Sequence, residues 1–160
     1  MRFTLIKDIK QDQTMKPILN GLLIFTLAYL IFDVLVSSSS LGLFFSELNT
    51  TLFGNEEEFI DPLSEVLFLE YIHAQIFFMM MILLTLSAVF ARVSNKKPYS
   101  LLFINITMIT GISTLGTLIL GYYSNAIFLH IYLLCFSLWH LGAIAMTLYS
   151  LWGLNLEKSV

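Results

Sequence analysis

The chain has 160 residues, 58% of them hydrophobic and 12% charged, with a net charge of -3. Soluble domains carry about 45–50% apolar and about 25% charged residues, so the composition excludes an ordinary soluble fold and fits one membrane domain over residues 1–160. No basic patch suited to nucleic acid is present, and the single Cys135 excludes an intrachain disulfide and a CxxC metal or redox motif.

Residues 1–16 are a mixed-charge cap with Arg2, Lys7, Lys10 and Lys16, in which Phe3, Leu5, Ile6 and Ile9 can share one side of a short interfacial helix. The polar start and the long apolar run after it do not read as a cleavable signal peptide. Pro17 opens a first span, roughly residues 17–38, long enough to cross a bilayer and closed by Ser37 to Ser40. Thr26, Tyr29, Asp33 and Ser37 fall near one face of it. Residues 41–60 form the one sizeable loop. Leu41, Phe44, Phe45, Leu48, Leu52 and Phe53 have the spacing of a short amphipathic helix lying in the membrane interface, and Gly54-Asn55 breaks it before the acidic run Glu56 to Glu58.

The second span, roughly 62–93, is expected to begin with Asp61 as N-cap and Pro62 in the first turn. About 32 residues at ~1.5 Å each cover roughly 48 Å, more than the ~30 Å of a bilayer core. Its first turns therefore stand at or above the headgroups, and they carry Glu65, Glu70 and His73. The third span, roughly 100–123, places Thr107, Thr110, Gly111, Thr114, Thr117 and Gly121 on one side, the small-residue pattern of closely packed membrane helices. Asn105 and Gly116 lie on a different side. The fourth span, roughly 126–152, contains His130, Ser137, Trp139 and His140 and closes with Tyr149 and Trp152. The fold expected is all-α: an integral membrane four-helix bundle with a short outer amphipathic helix.

With four spans, all eight Lys and Arg residues fall on one side. The positive-inside rule then puts both termini in the cytoplasm and residues 39–61 outside.

Counted inward from the outer helix ends, Asp33, Glu70, His73 and His130 come to similar depth from three spans. An ionised side chain deep in the membrane costs about 2.5–3.5 kcal/mol on insertion scales, so such groups normally face the bundle interior and pair. Glu70 and His73, three apart, share a face with Phe77, Met80, Leu84, Ser87, Ala88 and Ala91, whose small lower half suits helix packing. That face is expected to point inward. Asp33, Glu70, His73 and His130 would then be ligands of a transition metal. Alternatively His73 and His130 would clamp a b-type haem, with His140 a third candidate cofactor-binding residue and phenylalanines, 14 in the chain, available as walls. His140 is expected to lie deeper and turned away from His130.

No nucleophile elbow, phosphate loop or HExxH occurs. The function expected is a small inner-membrane subunit with an outer-half polar site for a metal or haem, within a redox or metal-handling assembly. The alternatives are a cofactor-free structural subunit, packing with other membrane subunits or with its own copies, and a proton or cation conductor. In the structural alternative Asp33 hydrogen-bonds Tyr29 or Ser37, or pairs with His130.

Overall fold

The computed structural model describes residues 14–94 and 98–155. The interfacial helix expected over residues 1–16 falls almost wholly outside the described residues, as do Lys96 and Lys97. Five helices follow in order: α1 (Met15–Ser40), α2 (Phe45–Phe53), α3 (Glu65–Val93), α4 (Pro98–Tyr123) and α5 (Ile127–Asn155). All but α2 are long and apolar enough to cross a membrane. The architecture is the all-α bundle expected.

Residues 41–60 form a short helix followed by a tight turn. In α2, Leu48 and Leu52 are buried while Phe44 and Phe53 remain exposed. Its N-terminus is tied by Glu47, whose carboxylate accepts from the backbone N–H groups of Leu43 (3.1 Å) and Phe44 (3.3 Å). Gly54 ends it at φ 79°, where a Cβ would fall 2.7 Å from the Ile60 carbonyl oxygen. Only glycine takes that conformation in so tight a space. Beyond it an Asn55–Ile60 bridge closes the acidic turn, with Phe59 at φ 55° on its tip, 95% exposed.

The second span starts later than its Asp61-Pro62 signal suggests. Ser64 is the N-cap, its hydroxyl accepting from the Leu67 N–H at 3.4 Å. The Leu63 N–H is donated to the Thr51 carbonyl, and the Leu63 carbonyl accepts from the Tyr122 hydroxyl at 3.0 Å. These two tertiary bonds hold residues 61–63 against α2 and α4, so the helix begins only after them.

Small residues set the helix approaches, as their grouping on the third span implied. α4 packs most extensively on α5. A Cβ on Gly142 would fall 2.5 Å from Thr107 Oγ1, and one on Gly111 would meet Leu83 at 3.2 Å, Met79 at 3.4 Å and Trp139 at 3.7 Å. Gly121 abuts Leu129 in the same way near the outer end.

The buried side chains form two apolar clusters stacked along the bundle. The one toward the ends of the chain contains Leu23, Leu30, Met79, Leu86, Trp139 and Met146. The one toward α2 contains Leu41, Leu48, Phe68, Leu118, Leu129 and Phe136 and includes the buried face of α2. Each of the four long helices carries polar residues where the clusters meet: Asp33 and Ser37 on α1, Gln75 on α3, Thr114 on α4 and His140 on α5.

Gly111→Leu should overpack the junction with α3 and α5 and lower stability by about 1–3 kcal/mol. Gly21, with nothing within 4 Å of a Cβ, supplies the control: Gly21→Leu should leave thermal unfolding in detergent unchanged. Equal melting of the two variants would contradict the packing.

Candidate functional site: a buried polar centre

α1 and α5 meet at an ion-pair geometry. Asp33 Oδ2 lies 3.0 Å from His140 Nε2, with both side chains almost fully buried. Asp33 Oδ1 accepts from Gln75 Nε2 at 2.9 Å and, at a long 3.5 Å, from the Tyr29 hydroxyl. Gln75 also donates to the Tyr71 hydroxyl at 3.4 Å, and Tyr71 and Ser37 hydroxyls lie 3.2 Å apart. The Tyr132 hydroxyl completes the cluster beside Tyr71. Three helices thus contribute to one hydrogen-bonded group.

The proton count of the pair follows from its second contact. His140 Nδ1 is 2.8 Å from the Phe136 carbonyl oxygen, which can only accept, so Nδ1 carries a hydrogen. The Nε2–Oδ2 contact then needs one proton between its two atoms. Held on nitrogen it gives imidazolium and carboxylate; held on oxygen it gives imidazole and carboxylic acid. Both forms are neutral overall, the form in which a carboxyl group is least costly to bury in an apolar layer.

Among the described residues two buried side-chain atoms lack a hydrogen-bond partner, Thr107 Oγ1 and Trp139 Nε1. Thr107 Oγ1 faces the α5 backbone at Gly142, where a weak Cα–H contact is the available compensation. Trp139 forms part of the wall of a cavity of about 10 Å³, beside Asp33, Tyr71, Gln75, Thr114 and Tyr132, enough for a single water molecule.

The residues expected to converge do not. Glu70 and His73 are exposed, and so are Phe77, Met80 and Leu84 on the same face. The inward face of α3 is instead Phe68, Ile72, Met79, Ile82, Leu83 and Leu86. His130 is also exposed, stacked on Phe45 of α2 with ring centroids 3.9 Å apart. Asp33 meets neither of these histidines. The metal set Asp33, Glu70, His73 and His130 and the haem clamp of His73 and His130 are therefore not assembled, and among the described residues no three His, Cys, Asp or Glu side chains come together to hold a metal ion. His140, expected to be turned away, is the residue that partners Asp33.

The physical reason is twofold. Both faces of a membrane helix are apolar, so hydrophobicity does not separate lipid from core. Matched depth along the helices also does not fix partners: α2 packs on α5, and Phe45 stacks on His130 there. Gln75, Tyr71 and Tyr132 were not singled out, although Gln75 sits four residues after Tyr71 and so on one face with it, a readable signal for a shared polar site.

A helical bundle with four long apolar spans around a buried polar centre is an integral membrane protein. The chain belongs to the Aq_1264_TM family of transmembrane helical domains, whose model matches residues 42–159. That stretch holds Tyr71, Gln75, Tyr132 and His140, while Asp33 on α1 precedes it. No curated protein and no solved structure matches the chain.

Asp33→Ala or His140→Ala leaves a buried group unpaired and should cost about 1–3 kcal/mol, read as a lower unfolding temperature. The double variant should cost less than the sum, because the two residues share one interaction. His73→Ala and His130→Ala should leave melting unchanged. A strong loss from either would restore the expected cluster.

Proposed function

We propose that the protein is a structural membrane subunit without a cofactor of its own, built around the Asp33–His140 clasp. The observation that carries this reading is the internal saturation of the centre. Both oxygens of Asp33 and both ring nitrogens of His140 are engaged by groups of the same chain. Ligand sites are usually clefts of about 300–1,000 Å³ with polar groups left free to receive the ligand. The cavity beside this centre is about 10 Å³. A clasp of this kind ties α1 to α3 and α5, together with the Ser37–Tyr71 hydroxyl contact and the paired amides of Asn20 and Asn155.

A second reading, proton handling, has one observation in its favour: the pair holds a single proton between two titratable groups. A conductor also needs a continuous polar route. The inner half below His140 offers Thr147 and Ser150, whose hydroxyls are donated back to their own helix at Ala143 and Met146.

In the orientation we propose, both ends of the chain face the cytoplasm and the α2 segment with the acidic turn faces outward. Lys16 in the first turn of α1 and Arg92 in the last turn of α3 lie at the same end of the bundle, and positive charge stays inside.

The absorption spectrum and elemental analysis of the detergent-purified protein should show no Soret band and no stoichiometric zinc, copper or iron. Either signal would overturn the cofactor-free role. Proteoliposomes loaded with a pH-sensitive dye should show no proton uptake above that of empty vesicles; uptake abolished by Asp33→Asn would select the second reading. A reporter at either terminus should read cytoplasmic and a tag at Asn55 outside, with the opposite result reversing the orientation.

A further inference from the structure

α4 presents two faces. One carries Thr107, Gly111, Thr114 and Gly121 and is buried against the bundle. The other carries Asn105, Ile109, Ile112 and Gly116, all exposed. Asn105 stands at membrane depth. The contacts Thr107–Gly142 and Gly111–Trp139 fix the antiparallel register of α4 on α5. In that register Asn105 lies opposite Ala145, seven residues inward of Trp152, an interfacial aromatic near the inner end. At ~1.5 Å per residue that is roughly 10 Å deeper than the aromatic belt.

Other exposed or half-buried hydroxyls at such depth satisfy themselves. Thr85, Thr110 and Ser137 each donate to the carbonyl four residues back on their own helix. Among the described residues the Asn105 side chain, exposed on α4, has no hydrogen-bond partner on another helix, and it is too short to reach the headgroups. An amide facing hydrocarbon without a partner is costly.

We infer that this face of α4 is the interface of a parallel homodimer, with Asn105 paired to Asn105 of a second copy. Three features select that occupant. Every copy of one sequence inserts in the same orientation, so two α4 helices meet in parallel with Asn105 at equal depth. A carboxamide is both donor and acceptor, so it satisfies itself across a two-fold axis, where a residue near the axis meets its own equivalent. The spacing Asn105, Ile109, Ile112, Gly116 steps by four, three and four, the seam of a left-handed helix pair. The isoleucines are each 64% exposed, and Gly116 has open space beside its Cα, which lets a second helix approach closely. The inference does not depend on the proposed structural role, since the face lies away from the Asp33–His140 centre.

The test uses the full chain in lipid bilayers. Labelled protein at low density should bleach in two steps for the native sequence. Asn105→Leu should weaken dimerisation about tenfold, the range expected for an interhelical amide pair, while melting of the protomer stays unchanged because the residue is exposed. Asn105→Gln should retain the dimer. In a Cys135→Ser background, Gly116→Cys should form a disulfide-linked dimer on mild oxidation and Phe77→Cys, on an outward face of α3, should not. Single-step bleaching of the native protein, an undiminished dimer in Asn105→Leu, or equal cross-linking at both cysteines would overturn the inference.

Discussion

A carboxyl group and an imidazole buried between membrane helices must find each other, and the rest of the bundle is arranged so that Asp33 and His140 do. Because His140 Nδ1 is committed to the Phe136 carbonyl, the pair holds one proton and carries no net charge. Neutrality is what makes its depth tolerable. Gln75 and Tyr29 occupy the other carboxyl oxygen, so the centre asks nothing of lipid or solvent. Buried polar groups of this kind add little net stability, yet removing one member is costly because its partners cannot be rehydrated.

The centre also explains the two-tiered core. On one side of it, the leucines and Met79, Met146 and Trp139 fill the core; on the other, α2 supplies Leu48 and Leu52 to close it. α2 closes one end of the bundle against α5, and Gly54 lets the chain turn sharply back toward residues 60–63. Register between helices is then held by close contacts at Gly111, Gly121 and Gly142 on the α3, α4 and α5 side. α1 has no such glycine contact and relies on its polar face, Tyr29, Asp33 and Ser37, all bonded to or aligned with the centre.

Family membership covers α2 through α5 and so three of the helices that define the bundle and two that line the centre. The groups that receive Asp33, namely Gln75 and His140, lie within the family's transmembrane helical domain. α1 adds the carboxyl group that they meet.

Sequence alone determined the class: apolar runs of bilayer length, a single-sided distribution of Lys and Arg, and an amphipathic segment between Leu41 and Phe53 leave little choice of architecture. Helical periodicity also fixed that Tyr29, Asp33 and Ser37 share a face and that Glu70 and His73 share another. Which face looks inward was decided only by the tertiary structure. In water an apolar stripe marks the core, but in lipid both sides of α3 are apolar, so Phe77 and Met80 read no differently from Met79 and Ile82. The partner of Asp33 was likewise settled by packing: Asp33 meets His140, while His130, nearer in counted depth, stacks on Phe45 of α2. Rotation and vertical offset are properties of helices packed together, and no single helix encodes them.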